Sequence, residues 1–275
     1  MSVDADRRPR LVFIVFFSFE WALIMFRTLP VLLFAMIACP AMAQESPSPA
    51  ELSGQIRESL QALEFDRAAG LAEQLAATAA EDRSGDQYRL RAADALLRSG
   101  RPEKAVPLFD EFAKKYPDQK PYLWQRGIAL YFVGRFADGA EQFEVHRQVN
   151  SNDVENAAWH YLCVAKNDSP ETADSLLLPA PGDPREPMEQ VLEMFRHRQP
   201  RRVTERLAEL KQAGSLTESA QFYGQLYLGL YADAVSDRAT AAKHMKRAVD
   251  HAPRNYMGDV ARVYFTFLSK QKTPK

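Results

Sequence analysis

Cysteine is nearly absent, with two residues in 275, Cys39 and Cys163. With the N-terminal 43 residues removed, only Cys163 stays and no intrachain disulfide can form. Net charge is close to nil, at −1, so there is no global basic field to draw in nucleic acid and no acidic bias to point elsewhere. No uninterrupted run reaches the roughly 20 apolar residues that cross a bilayer. The two apolar stretches, 11–26 and 29–38, are interrupted by Glu20 and separated by Arg27. A nucleophile elbow, a phosphate-binding loop, a dinucleotide glycine fingerprint and an H-E-x-x-H zinc motif are all missing. Catalysis is therefore the minority reading, and neither a cofactor nor a metal is expected. No stretch reads as a β-strand.

What is present is an ordinary globular composition, 46% hydrophobic and 26% charged, with room for a continuous core. It is arranged as a repeat. The stretch from Lys120 to Ser151 places Leu123, Gly127, Leu130 and Tyr131 at helical spacing, breaks at Gly134-Arg135, and resumes helical spacing at Gly139, Phe143 and Val145-His146. A step back of 34 positions carries Gly127 to Ala93, Leu130 to Leu96, Gly134 to Gly100, Gly139 to Ala105, Phe143 to Phe109 and Ser151 to Pro117. Small residues replace small ones and large replace large. A two-helix unit with one apolar face each cannot bury that face alone, so stacked copies are required.

The rest of the chain supplies them. A degenerate hairpin over 51–80 carries Ile56, Leu60 and Leu63 on a first helix, turns at Phe65-Asp66-Arg67-Ala68, and continues with Leu71 and Leu75. A linker, Glu81 to Asp86 with Gly85, precedes the clear repeat at 86–118. A further copy begins at Asp153 and fails at Pro179, Pro181, Pro184 and Pro187, so its second helix is expected to be short. A non-repeat helical pair over 187–212 hinges at Pro200 and ends at Gly214. The repeat grammar returns at Ser215 with Leu228-Gly229, Ala241, Met245, Ala248 and Pro253. A last helix near 256–269, carrying Val260, Val263, Tyr264, Phe267 and Leu268, is expected to cap the stack.

The N-terminus carries an address. Read from Met25, MFRTLPVLLFAMIACPAMAQ has a basic start at Arg27, a short apolar segment and an A-x-A site, Ala41-Met42-Ala43, before Gln44. That is the layout of a secretory signal peptide, over-long if counted from Met1, so translation is expected to start at Met25. Two alternatives stay open: a signal-anchor across 11–38, and lipidation of Cys39, since Met36-Ile37-Ala38-Cys39 loosely resembles the bacterial lipobox. The expected organisation is a signal peptide over 1–43, a proline-containing tether over 44–50, a helical body over 51–270 and a basic tail over 271–275. The expected location is the periplasm or cell envelope, with membrane association through the N-terminus.

The 34-residue period, with a small residue in the first helix, Gly in the turn, Ala then an aromatic in the second helix and Pro at the end, resembles the tetratricopeptide repeat. The resemblance implies an all-α fold: a right-handed α-α superhelix (a tetratricopeptide-repeat solenoid) with a non-repeat helical hairpin and a C-terminal capping helix. It also implies a ligand-facing surface made by first-helix side chains. Carried over position by position, that groove holds Arg91, Asp94 and Arg98, then Trp124, Gln125, Ile128 and Tyr131, then Trp159, with Leu90, Leu97 and Leu162 beside them. Tryptophan, tyrosine and arginine are what binding hot spots favour. Packing between repeats is an equal alternative for Trp124 and Trp159. The Lys and Asn with which chaperone-binding members clamp a terminal carboxylate are replaced by Leu90 and Asp94.

Three further groups stand out. His160 and Cys163, at i, i+3 on one helix, would suit a metal or a Cys–His pair, though a packed helix face is the better reading. His244 and His251 read as ordinary helix residues. The bend with Arg196, His197, Arg198, Arg201, Arg202 and Arg206 could meet an anionic partner, or be a solvated turn with Glu193, Glu205 and Glu209 as neighbours.

The order of features, with the strings RGIALY and FYGQLYLG, is similar to the bacterial cell-envelope tetratricopeptide lipoproteins that act as adaptors between a periplasmic protease and peptidoglycan hydrolases. This resemblance implies a homodimeric, non-enzymatic scaffold that binds proteins or peptide segments. A repeat subunit of a secretion or outer-membrane assembly machine is the alternative, and an enzyme with an unrecognised site is a third.

Overall fold

A computed structural model describes residues 46–270. The leader with Cys39, the start of the tether and the basic tail lie outside them. The described residues hold thirteen α-helices and no strand: α1 Pro49–Gln61, α2 Phe65–Thr78, α3 Arg83–Arg98, α4 Pro102–Lys115, α5 Trp124–Phe132, α6 Phe136–His146, α7 Val154–Asn167, α8 Pro170–Ser175, α9 Met188–His197, α10 Arg201–Gln212, α11 Glu218–Ala234, α12 Arg238–Asp250 and α13 Tyr256–Lys270. None is long and apolar enough to cross a membrane.

Neighbours in sequence pack as neighbours in space, α1 on α2, α3 on α4, α5 on α6, α11 on α12. The first helices also stack on one another, α1 on α3, α3 on α5 and α5 on α7. The 34-residue spacing explains both. Phe109 and Phe143 occupy equivalent places on α4 and α6 and each is 1% exposed, while Ala93, Leu96, Ala105 and Leu130 are buried beside them. Gly127 makes room for a neighbouring helix's side chain: a Cβ there would lie 2.6 Å from the Phe143 ring. Gly100 and Gly134 end their helices with φ of 72° and 78°, a backbone that a side chain disfavours.

Local chemistry moves several expected boundaries. Ser48 caps α1 in a reciprocal capping box with Glu51, so the helical body begins at Pro49 and the tether is shorter than 44–50. Leu63, expected on α1, sits in the turn with φ 61°. Phe65 to Ala68, expected as that turn, already form the first turn of α2. The linker ends at Asp82, whose carboxylate accepts from the Gly85 N–H at 2.7 Å, placing Gly85 inside α3. Pro117 and Pro121 hold residues 117–122 in a 3-10 turn, which delays α5 to Trp124. The second helix of the failing copy, α8, is short as expected.

The largest departure is α13. It packs on α12 as the expected cap of the last hairpin, and it also packs on α3 and lies against the first-helix layer. The Arg98 guanidinium donates twice to Asp259, at 3.0 and 2.8 Å. Arg254 donates to the Gln61 carbonyl at 2.8 Å. Tyr264 stacks on Tyr131 with ring centroids 6.0 Å apart.

Candidate partner-binding face

The return of α13 divides the expected groove. Tyr131, 2% exposed, is not a groove residue: its hydroxyl shares a 2.9 Å hydrogen bond with Tyr264 and sits 3.4 Å from the Asp233 carboxylate. Leu97 and Leu162 are likewise buried. Periodicity placed these residues on the correct helix face, and α13 then covers that face. Arg98 is spent on Asp259 and lies over the Tyr256 ring at 5.2 Å. Of the expected groove, Arg91, Asp94, Trp124 and Gln125 keep accessible surface in two stretches, while Ile128 and Trp159 are buried behind the second.

The first is a shallow depression of about 370 Å³ toward the N-terminus, bordered by Arg57, Arg91, Asp94, Arg98 and Gln125. Arg91 is exposed and stands over Tyr88 at 5.2 Å. Asp94 is set between Arg98, 3.8 Å away, and the Tyr256 hydroxyl, which does not reach full hydrogen-bond geometry with it. Burial pushes the Asp94 carboxyl up to about 6, against the pull of Arg98 and with the nearby Asp259 adding to the rise.

A carboxyl with a higher pKa folded than unfolded favours the fold only while protonated. Its contribution is complete below the unfolded value of about 3.9 and is lost as pH rises through about 6. Asp94→Asn should therefore stabilise the protein by roughly 1–2 kcal/mol at pH 8 and change nothing below pH about 4. The effect is kept small because the Asp94 side chain retains 29% of its surface. Urea unfolding at the two pH values measures it, and a gain independent of pH would show that Asp94 is not the titrating group.

The second stretch is a deeper hollow of about 350 Å³ where α5, α7 and α13 meet. Trp124, Ile128, Phe143, Trp159, Tyr223 and Tyr256 form its walls. Trp124 is half-buried and meets Tyr256 edge-on at 4.6 Å. Trp159 is 2% exposed and packs against Tyr131 and Phe143, at 5.5 and 6.5 Å between centroids. Of the two expectations for Trp159, packing between repeats is the one its burial shows, and the residue borders the hollow from behind.

The polar end of the hollow comes from residues that periodicity does not single out. Asp153 caps α7 through the Glu155 N–H at 3.0 Å, and Glu155 and Asn156 follow on its first turn. Arg185, thirty residues on, reaches back to pair with Asp153 at 2.9 Å, with Asp183 at 2.6 Å and with Glu155. Tyr227 donates to Glu155 at 2.7 Å. Burial raises the Glu155 carboxyl, opposed by Arg185. Two polar atoms of this wall have no partner: the Trp159 indole N–H and Asn156 Oδ1. An Asp at the start of a helix was the readable signal. Its arginine partner was not, because it arrives from a proline-rich loop.

The remaining candidates lie elsewhere. His160 is buried and its Nε2 faces the Glu144 carboxylate at 3.1 Å. Cys163 packs against α6 beside Gly139, and burial pushes its thiol up. Among the described residues no cluster of three or more His, Cys, Asp or Glu could hold a metal. In the basic bend, Arg196 pairs with Glu193, Arg198 with Glu171 and Asp174 at 2.7 and 2.9 Å, and Arg206 with Glu186 at 3.0 Å. Among the described residues, Arg201 and Arg202 face no carboxylate, and Arg202 donates to Gln199 at 3.0 Å. The bend is largely neutralised by acids. Compared with known families and curated proteins, the chain matches no family model and no curated sequence.

Proposed function

We propose that this chain is a non-enzymatic scaffold of the tetratricopeptide type, a right-handed superhelix exported to the bacterial cell envelope, that binds a segment of a partner protein on its first-helix layer. Stacked first helices supply a ready-made surface, as in other α-solenoids. The observation that carries the reading is the hollow beside α13: a volume of about 350 Å³ with aromatic walls and two unpaired buried polar atoms. Such a volume is at the small end of binding pockets and suits one anchoring side chain of a larger partner. A periplasmic protease or a cell-wall hydrolase is the partner class that the resemblance brings, and a homodimer belongs to the same reading. A subunit of a secretion or assembly machine would use the same surface.

Affinity capture from envelope extracts, with wild type and Trp124→Ala side by side, tests this. Proteases or hydrolases in the eluate support the adaptor, and assembly subunits the alternative. Trp124→Ala should weaken partner binding by about 2 kcal/mol or more, the scale of a hot-spot truncation. Trp124 is only half-buried, so the fold should survive, and a denaturation curve on the same variant checks that. Unchanged affinity in a stable variant would remove the hollow from the binding surface.

A further inference from the structure

Partner docking leaves open what the anchoring group is, and the charge around the hollow answers that. Among the described residues no lysine or arginine lines it, whereas the Asp153 and Glu155 carboxylates do. Immediately behind the walls, Arg185 is set against Asp153, Glu155 and Asp183. Arg98 and Arg262 are set against Asp94 and Asp259. Five carboxylates thus share three guanidiniums, with Arg254 near Asp259 as a fourth cation. Like charges gathered around a largely apolar volume favour a guest of opposite sign.

The walls agree with that sign. Cations bind the faces of aromatic rings, with Trp the best host. Tyr223 and Tyr256 already carry Arg185 and Arg98 over their rings, at 5.5 and 5.2 Å. Trp124 is the remaining host, since Trp159 is enclosed by Tyr131, Phe143 and Tyr264. Behind the wall, Asn156 Oδ1 and the Trp159 N–H are buried without partners, so a guest in the hollow meets the carboxylates and the Trp124 ring rather than these two atoms.

We infer that the hollow between α5, α7 and α13 receives the cationic side chain of a lysine or arginine from the docked protein segment. The inference rests on the scaffold reading and specifies the chemistry of its anchor. The shallow depression nearby differs in kind, since Arg57, Arg91 and Arg98 border it, so the same segment would not place a second basic residue there.

The test uses the full folded chain carrying Trp21→Phe, so that Trp124 and Trp159 are the only tryptophans. Both lie on the hollow and report occupancy by fluorescence. The probes are N-acetylated, amidated pentapeptides of four glycines with a central lysine, arginine, norleucine or glutamate, and tetramethylammonium chloride. The lysine and arginine peptides should quench saturably, with the norleucine and glutamate peptides at least tenfold weaker. Asp153→Asn keeps a good helix cap and removes one negative charge; it should weaken the lysine peptide three- to tenfold, and an unfolding curve on the same variant separates that loss from the loss of the Arg185 pair. Glu155→Gln should act in the same direction, with circular dichroism confirming its fold.

Equal binding of the norleucine peptide would make the hollow merely apolar and overturn the inference. Tetramethylammonium binding as tightly as the lysine peptide would make it a small-cation site and overturn the assignment to a side chain. Absence of any response overturns it as well. A chain that captures envelope partners yet ignores the lysine peptide loses this inference and keeps the scaffold, so the two failures are distinct.

Discussion

Replacing Asp233 by alanine should cost about 3–5 kcal/mol of folding stability, the range for breaking a buried charged pair from one side. Asp233 is buried on α11, and its carboxylate accepts from the Tyr264 hydroxyl at 2.6 Å while pairing with Lys166 at 3.1 Å. The Lys166 ammonium also donates to the Asp233 carbonyl at 2.6 Å. Tyr131 completes the cluster, so one carboxylate joins α5, α7, α11 and α13. Alanine leaves two phenols and an ammonium without their common acceptor. Asp233→Asn keeps an acceptor oxygen and should cost less, about 1–2 kcal/mol. Guanidinium unfolding of both variants decides the matter: values within about 0.5 kcal/mol of wild type, the scale of ordinary surface substitutions, would show that the cluster contributes nothing.

Ending the chain after Asn255 should have a larger effect still. The deletion removes Met257, Val260 and Tyr264 from the core and, at roughly 1.5–3 kcal/mol for each, takes away about 5–9 kcal/mol, within the range of a domain's whole stability. It also strips the cover from Tyr131, Phe132 and Trp159, all of which touch Tyr264. The shortened chain should keep most of its helical circular dichroism, lose its cooperative melting transition and bind a hydrophobic dye, as a molten state does. A sharp transition near the wild-type temperature would reduce α13 to the end cap that its sequence suggests.

The contrast between that suggestion and the structure shows what a sequence carries. Hairpins were legible because their determinants are local: Gly100 and Gly134 fix the turns, and Phe109 and Phe143 fall on the same step of the repeat. The place of α13 was not. Val260 and Tyr264 announce a helix with an apolar face, but periodicity cannot say which surface that face will meet. Arg98 and Asp259 are 161 positions apart, and nothing in either neighbourhood pairs them. The same blindness affected the groove, since Tyr131 and Trp159 keep one spacing whether they greet a ligand or lie beneath another helix. The acidic rim of the hollow was half legible: Asp153 reads as a helix cap, but only the folded loop reveals that Arg185 leaves it an excess of carboxylate.

The long ties of α13 also bear on how the molecule comes into being. An open stack of repeats behaves as a row of nearest neighbours, able to nucleate anywhere and to fray one unit at a time. Here Arg254, just ahead of α13, meets the carbonyl of Gln61 across 193 positions and Tyr264 meets Tyr131 across 133, so the row is closed by α13 and the residues leading into it. Contacts this distant slow folding, because the loop must be closed before they reward it. α13 is synthesised after the hairpins it covers, which must wait for it with their aromatic faces uncovered. Completion of the hollow then waits on α13: a chain that stops before Tyr256 lacks the wall that Tyr256 and Met257 supply.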